Sequence, residues 1–175
     1  MDSSRALKGR QSRNAGLAFE QIVIGACAFY EQKHIAVIDK TPEPMKILQP
    51  YDRRNGRFVA CFAKQAQPDF KGILLDGTMV LFDAKHTDSA RLTRRVVTDE
   101  QSACFTRYEA MGARCFLVVS MGFRSYFRIP WRSFDGMKEA FGHCYMTEED
   151  MEPFAVQYTQ GVLHFLDGLE LKENT

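Results

Sequence analysis

The sequence lacks long apolar runs, paired cysteines and a large excess of charge of one sign. Its 175 residues contain no run of about 18 uncharged apolar residues, the length that a transmembrane helix needs. The basic N-terminus, residues 1–13, is not followed by the apolar core of a secretory signal. We therefore expect a cytoplasmic protein that does not associate with membranes.

Cysteines are few and scattered. The five cysteines form no Cys-x-x-Cys pair, and their odd number and wide spacing argue against a disulfide framework and against a zinc site. We expect reduced thiols that pack as small apolar side chains. With 45% hydrophobic and 26% charged residues, and with no internal repeats, the chain is typical of a globular protein.

The net charge of +1 predicts no partner by itself. The basic residues are nevertheless grouped, and bases grouped on one surface can hold DNA phosphates. The groups are an N-terminal arm with Arg10 and Arg13, the triplet Arg53, Arg54 and Arg57, and the triplet Arg91, Arg94 and Arg95. We divide the chain into a basic flexible arm, residues 1–13, and a single domain over residues 14–175.

The first half of the domain is predicted to hold a helix, a strand and an excursion. Apolar periodicity predicts a helix over residues 14–33, which carries Glu20, and then a short strand over residues 35–38. Two prolines within three residues then end any regular element. The arginine-bearing stretch of residues 49–67 is expected to leave the domain like a hairpin, with its turn at residues 53–56.

The second half alternates strands and helices. Asp76-Gly77 between two apolar runs predicts a β-hairpin with strands over residues 73–75 and 79–84. Thr98, with Gln101 three residues later, has the capping-box pattern of a helix start. The other predicted elements are a loop over residues 86–97, the helix over 98–111, strands over 115–120 and 125–129, a helix over 131–141 and a strand-like tail over 154–171. This order predicts a mixed α/β fold with one central sheet.

Two carboxylates and a lysine are expected to meet at the ends of that hairpin. Asp69 precedes the first strand and Asp83-Ala84-Lys85 closes the second, so the two aspartates can converge on one cation. Two carboxylates with several waters are a normal environment for Mg²⁺. Alternation puts Asp83 and Lys85 on one face of their strand, where the lysine can orient a water or stabilise a phosphate. The pattern predicts metal-dependent hydrolysis of phosphodiesters.

The spacing from Pro68-Asp69 to Asp-x-Lys resembles that of the PD-(D/E)xK nuclease superfamily. Three longer blocks resemble RecU-type Holliday-junction resolvases, and they occur in the order of that family over roughly residues 14–135. The blocks are GLAFEQIVIGACAFYEQKHIAVIDKTPEPMKIL, PDFKGILLDGTMVLFDAKHT and EQSACFTRYEAMGARCFLVVS. In the family the second block reads Asp-Tyr-x-Gly and then Glu-Ala-Lys-x-Thr.

The resemblance implies a restriction-endonuclease-like fold, in which helices flank a mixed central β-sheet and a stalk protrudes, here at about residues 49–67. It implies Mg²⁺ as the cofactor, with Mn²⁺ as a substitute. The implied catalytic residues are Lys85, Asp83, Asp69 and Glu20, and the implied metal ligands are Asp69, Asp83 and Gln101. The implied contacts to DNA phosphates are Arg53, Arg54, Arg57, Lys64, Arg10 and Arg13.

The chain departs from the family pattern at four points. Asp83 replaces the usual glutamate, and the hairpin turn is one residue longer. Glu100 stands where a histidine precedes Gln101 in the family, and Gln67 stands where a threonine ligand is usual. Thr87 matches the threonine that closes the family motif.

We therefore expect a magnesium-dependent endonuclease that resolves four-way DNA junctions by paired symmetric nicks in recombination and repair. The two-fold symmetry of such a junction favours a homodimer. Other recombination proteins are candidate partners. Two alternatives remain. One is a nuclease of the same superfamily that acts on other DNA structures. The other is a junction-binding accessory protein whose catalytic site is inactive.

Overall fold

The computed structural model describes residues 2–42, 44–62 and 67–169. The helices are α1 (Asp2–Gln32), α2 (Asp99–Ala110), α3 (Trp131–Asp135), α4 (Met137–Phe141) and α5 (Glu148–Met151). The longer strands are β1 (Ala36–Lys40), β2 (Met45–Asp52), β3 (Arg57–Phe62), β4 (Phe70–Leu74), β5 (Met79–Thr87), β7 (Arg114–Met121) and β8 (Ser125–Pro130). The short strands are β6 (Arg91–Thr93), β9 (Tyr145–Thr147), β10 (Tyr158–Thr159) and β11 (Val162–Leu163).

Five of the described strands form the central sheet, in the order β1-β4-β5-β7-β8. The pairs β1–β4, β4–β5 and β7–β8 are antiparallel, whereas β5 and β7 are parallel. A parallel pair needs a crossover connection, and the segment that contains α2 supplies it. The prediction of a mixed α/β fold with one central sheet is confirmed.

The sheet buries an apolar layer on each face. On one face, α1 packs Phe19, Val23 and Tyr30 against the strands. On the other face, the helices after β5 contribute side chains such as Phe105 and Trp131. Because alternate residues of a strand point to opposite faces, β5 sends Phe82 to the α1 side and Leu81 to the other. The core is therefore divided by the sheet, and β5 at its centre is buried on both faces.

A row of stacked rings crosses the middle of the sheet. Phe70, Phe82 and Phe116 are partners in the β4–β5 and β5–β7 registers. The ring centroids lie 4.9 Å apart in both pairs, with interplanar angles of 6° and 8°. Such contacts between aromatic rings add to the stabilisation from burial and make a one-residue slip of register unfavourable.

The first helix is longer than predicted. It begins at Asp2 rather than at Asn14, so residues 2–13, predicted as a basic arm, are helical and continue α1. Residues 2–13 contain no proline, and the basic side chains of this stretch do not oppose helix formation. None of the helices in the described residues combines the length and the apolar composition that crossing a bilayer requires.

Several other boundaries differ from the predicted ones; β4, for example, begins at Phe70 and β5 extends to Thr87. Part of the loop predicted over residues 86–97 is β6, which pairs with β9 in a small separate sheet. The helix predicted over residues 131–141 is divided at Gly136 into α3 and α4. The excursion is the β2–β3 hairpin, which begins at Met45 rather than at Gln49. The start of α2 agrees with the prediction, because Thr98 and Gln101 form the capping box.

Close approach of β1 and β4 requires the glycine at position 72. A Cβ atom at Gly72 would lie 2.2 Å from the carbonyl oxygen of Val37 and 2.7 Å from Cα of Ile38. Both atoms belong to the backbone of β1 and cannot move without breaking the pairing. Gly72 therefore holds β1 in register against β4.

We predict that Gly72→Ala destabilises the protein by about 3 kcal/mol or more, because overpacking against backbone is not relieved by a rotamer change. Gly25→Ala is the matched control, since nothing lies within 4 Å of the added methyl group at that exposed position of α1. Urea unfolding followed by circular dichroism measures both changes. A midpoint for Gly72→Ala equal to that of the wild type would contradict the close approach.

Candidate active site

Asp69 and Asp83 lie side by side at one edge of the sheet. Phe70 pairs with Phe82 in the β4–β5 register, so Asp69 is opposite Asp83 when that register is continued by one residue. The amide of Asp69 donates a hydrogen bond to Oδ1 of Asp83 at 2.7 Å. The backbone of one aspartate thus fixes the carboxylate of the other, and the predicted convergence of the two residues is present.

Asp83 is 0% exposed, which is unusual for an ionisable side chain. Its Oδ2 atom lies 3.0 Å from Nζ of Lys85. That distance is short enough for a hydrogen bond, but Oδ2 has no partner that meets hydrogen-bond geometry. We therefore regard the contact as an ion pair that leaves a lone pair of Oδ2 available to another cation.

Asp69 is close to a second and a third negative charge. Burial raises the pKa of its carboxyl group from 3.8 to about 6, and repulsion from Asp83 adds to this increase. Lys85, whose Nζ atom lies 3.9 Å from Oδ2 of Asp69, opposes the increase, and Glu20 adds to it. The side chain of Asp69 is 18% exposed, so solvent reaches this end of the site.

The donor set suits a hard divalent cation. Two adjacent carboxylates, one with an unsatisfied buried oxygen, face a single lysine, and a cation between them would relieve their repulsion. Among the described residues, no group of three or more His, Cys, Asp or Glu side chains is arranged to bind a metal. A pair of carboxylates completed by waters and substrate oxygens is what Mg²⁺ takes in proteins.

Glu20 forms an ion pair with Lys40, the last residue of β1. This pair is at the α1 side of the sheet, since Lys40 is the β1 partner of Phe70, whose ring packs under α1. Alternation along β4 therefore puts the Glu20–Lys40 pair and the aspartate side chains on opposite faces of the sheet. The charge of Glu20 makes a small contribution to the raised pKa of Asp69, after burial and the repulsion from Asp83.

Gln101 is 6% exposed and its side chain has a structural partner. Oε1 accepts a hydrogen bond from the amide of Thr98 at 3.2 Å, which completes the capping box of α2. No hydrogen bond between Gln101 and the aspartates occurs in the described part of the chain. Thr87 caps the turn after β5 by accepting from the amide of Ser89 at 3.0 Å, and Gln67 is exposed.

The N-terminal half of α1 extends past the edge that carries the aspartates. Phe19 is the first buried residue of α1 among those whose side chains are described, and it packs at the Glu20 end of the sheet. Arg10 and Arg13 are exposed, and the spacing of Arg10, Arg13 and Glu20 puts all three on one face of the helix. About 10 Å of helix separates Arg13 from Glu20.

The β2–β3 hairpin leaves the sheet from the same edge, between the end of β1 and Asp69. Its turn carries Arg53 and Arg54, and Arg57 opens the return strand; all three are exposed. Asp52 shapes this turn by accepting hydrogen bonds from the amide of Arg54 at 3.0 Å and from Asn55 Nδ2 at 2.6 Å. Lys64, the fourth predicted phosphate contact of the excursion, lies outside the described residues.

Two residues near the aspartates were not assigned a role from sequence. Lys40 neutralises Glu20, and Thr41 donates its amide hydrogen to the carbonyl of Asp69 at 2.8 Å. Both belong to β1 and its extension, which pairs with β4 across a gap of more than twenty residues. No local spacing pattern could have indicated that pairing.

Comparison with known proteins identifies relatives over most of the chain. The family described as "RecU: Recombination protein U" matches residues 14–170. Holliday junction resolvase RecU of Streptococcus equi subsp. zooepidemicus is 39% identical over 77 residues, which cover 42% of this chain and 38% of that relative. Holliday junction resolvase RecU of Bacillus subtilis is 25% identical over 166 residues, covering 91% of this chain and 80% of the relative.

The chain thus aligns with less than half the length of the streptococcal relatives. Among solved structures, Hjc of Archaeoglobus fulgidus, a Holliday junction resolvase, is similar with a TM-score of 0.49 and 9% sequence identity. The match covers 79% of this chain and 93% of that one.

The repulsion between the crowded carboxylates should affect the stability of the metal-free protein. A pKa near 6 for Asp69 means that the folded state binds this proton more tightly than the unfolded state. The resulting stability is present below pH 3.8 and is lost as the pH rises through 6. Asp69→Asn, which mimics the neutral form, should therefore raise the free energy of unfolding at pH 7.5 by up to about 3 kcal/mol.

Urea unfolding in EDTA at pH 4 and pH 7.5 measures this effect. The gain should nearly vanish at pH 4, where the wild-type carboxyl group is already protonated. Glu31→Gln, at an exposed position of α1, controls for the loss of one negative charge elsewhere. An unchanged or lower stability of Asp69→Asn at pH 7.5 would contradict the repulsion described above.

Proposed function

The chain belongs to the RecU (Recombination protein U) family, and from that membership and the site geometry we propose that it resolves four-way (Holliday) DNA junctions as a divalent-metal-dependent endonuclease. The observation that carries the proposal is the convergence of Asp69, Asp83 and Lys85 where β4 begins, with Asp83 buried and the other two side chains partly open to solvent. The names of the curated relatives, Holliday junction resolvase RecU, support the choice of substrate.

We assign a role to each of the three side chains. Asp69 and Asp83 would hold the cation, which we take to be Mg²⁺ with Mn²⁺ as a substitute. The cation would activate a water and neutralise charge on the scissile phosphate. Lys85, held 3.0 Å from Asp83, would orient the attacking water and stabilise the extra negative charge of the phosphate in the transition state. Glu20 and Gln101 remain proposed members of the site.

The basic residues around the site support a DNA substrate. Arg10 and Arg13 on the projecting half of α1, and the arginines at the tip of the hairpin, extend from the same edge as the two aspartates. Contacts of this kind with phosphates fix the position of DNA without reading its sequence. They suit an enzyme that selects a DNA shape, with the hairpin reaching into the open centre of a junction.

We also propose that the active form is a homodimer. A four-way junction has two-fold symmetry, and a two-fold dimer presents two identical sites to its symmetry-related strands. The expected products are two nicks at symmetric positions that leave ligatable ends. We propose that the enzyme acts in the cytoplasm during recombination and repair. Other recombination proteins are its candidate partners at the junction.

A cleavage assay tests the proposal as a whole. The protein is incubated with a synthetic four-way junction or with a linear duplex of matched sequence, with and without Mg²⁺. Light scattering of the protein alone gives its oligomeric state. Paired symmetric nicks in the junction alone, from a dimer and only with Mg²⁺, are expected. Equal cutting of the duplex would indicate a nuclease for other DNA structures. Tight binding without cutting would indicate an inactive accessory protein.

Asp83→Asn should lower the cleavage rate on the order of a thousandfold, because it removes one negative ligand while Oδ1 can still accept from the amide of Asp69. Junction affinity in EDTA should be unchanged, as measured by gel shift. The metal should also stabilise the wild type and not the variant in thermal melts. A variant that loses junction binding along with cleavage would show that Asp83 has a different role.

Changing Arg53, Arg54 and Arg57 together to alanine should weaken junction binding and reduce its salt dependence. The slope of log K against log salt should fall by about 1 for each phosphate that the variant no longer neutralises. The control removes positive charge from residues outside this edge, in Arg107→Ala combined with Arg132→Ala. If both variants lose the same affinity per charge, the hairpin does not bind DNA specifically.

A further inference from the structure

Thr41 carries a buried polar atom that the fold does not use. Thr41 is 6% exposed. Its Oγ1 atom is buried and has no hydrogen-bond partner in the described part of the protein. Oδ2 of Asp83 is the other buried side-chain oxygen of which this is true within the same residues. A buried hydroxyl without a partner costs free energy. Asp83 Oδ2, two strands away, forms an ion pair with Lys85 but accepts no hydrogen bond within the described residues, so the two oxygens together point to a missing ligand.

The sheet places Thr41, Asp69 and Asp83 in one row. The β1–β4 register pairs Lys40 with Phe70, and continuing it by one residue puts Thr41 opposite Asp69. The bond from the amide of Thr41 to the carbonyl of Asp69, 2.8 Å long, supports this continuation. Asp69 in turn is opposite Asp83. Directly opposed residues of an antiparallel pair point to the same face, with Cβ atoms about 5 Å apart.

The local sequence keeps Thr41 in that place. Pro42 follows it, and a residue before proline is restricted to extended backbone, which prolongs the pairing of β1 by one position. Gly72 allows β1 to approach β4 closely. Thr41 is thus held in the row by backbone geometry, and its hydroxyl is free to serve a ligand.

We propose that the hydroxyl of Thr41 is a third protein oxygen ligand of the divalent cation held by Asp69 and Asp83. This inference rests on the metal site of the proposed function. Thr41 and Asp83 lie two strands apart with Asp69 between them, so a cation bound at Asp69 would have the Thr41 hydroxyl on one side and the Asp83 carboxylate on the other. A hydroxyl group adds a ligand without adding negative charge, which suits a site where two carboxylates already repel each other. Mg²⁺ accepts neutral oxygens of this kind.

Two substitutions at position 41 test the role through metal affinity, without DNA or cleavage. Binding of Mg²⁺ alone is measured by calorimetry and by the shift of the thermal midpoint. Thr41→Val keeps the shape and removes the hydroxyl, and it should weaken binding by about tenfold or more. Thr41→Ser keeps the hydroxyl and should bind within about threefold of the wild type. In EDTA, Thr41→Val should be at least as stable as the wild type, because the unsatisfied group is gone.

A change of metal preference separates a ligand from a residue that merely positions Asp69. Thr41→Cys replaces the oxygen by a sulfur atom, which prefers soft metals such as Cd²⁺. A ligand at this position predicts weaker binding of Mg²⁺ and tighter binding of Cd²⁺ than in Thr41→Val. The same Cd²⁺ titration of the wild type corrects for the chain's own cysteines. Equal losses for both metals in Thr41→Cys would overturn direct ligation.

The outcomes also distinguish this inference from the function on which it rests. If the wild type binds Mg²⁺ and Asp83→Asn does not, the metal site stands, and Thr41→Val with wild-type affinity would overturn the role of Thr41 alone. If the wild type shows no Mg²⁺ binding that depends on Asp83, the metal site and the role of Thr41 fail together. If the wild type binds Mg²⁺, Thr41→Val binds it more weakly and Thr41→Ser binds it like the wild type, both the metal site and the role of Thr41 are supported.

Discussion

The fully buried carboxylate of Asp83 is the group on which the arrangement of this edge depends. One oxygen is fixed by the amide of Asp69, and the other faces Lys85 without a proper hydrogen bond. A buried charge that is only partly compensated is costly, so it survives where the surrounding sheet holds it rigidly or where a function requires it. The stacked row Phe70–Phe82–Phe116, one residue away, supplies that rigidity.

Local patterns predicted more of the fold than non-local pairing did. The turn at Asp76-Gly77 placed Asp69 and Asp83 together from sequence, because a hairpin closes over neighbouring residues. The helix start at Thr98 was equally readable. The role of Gln101 was harder to predict, because a glutamine at this position suits both a capping box and a metal site. In the structure its side chain forms the capping box of α2. The extent of α1 was misjudged because a basic stretch without apolar periodicity can still be helical.

What sequence could not predict is the contribution of β1. Lys40 and Thr41 reach the site through strand pairing with β4, across 28 positions in the case of Thr41 and Asp69. No spacing rule connects residues that far apart when a separate hairpin lies between them. The same pairing explains why the β2–β3 hairpin, which lies between β1 and β4 in the sequence, starts next to the two aspartates. Its arginines therefore bring positive charge near the crowded carboxylates.

The row Thr41–Asp69–Asp83 also has a consequence for the order in which the molecule is assembled. The β4–β5 hairpin is a local structure and can close in microseconds, whereas β1 must first close a long loop that contains β2 and β3. We expect the folding chain to form a half-site with both carboxylates before β1 docks and completes it. If pulse-labelled hydrogen exchange during refolding showed amide protection in β1 before β4 and β5, this order would be contradicted. A cation bound to that half-site would then act as a template on which β1 docks.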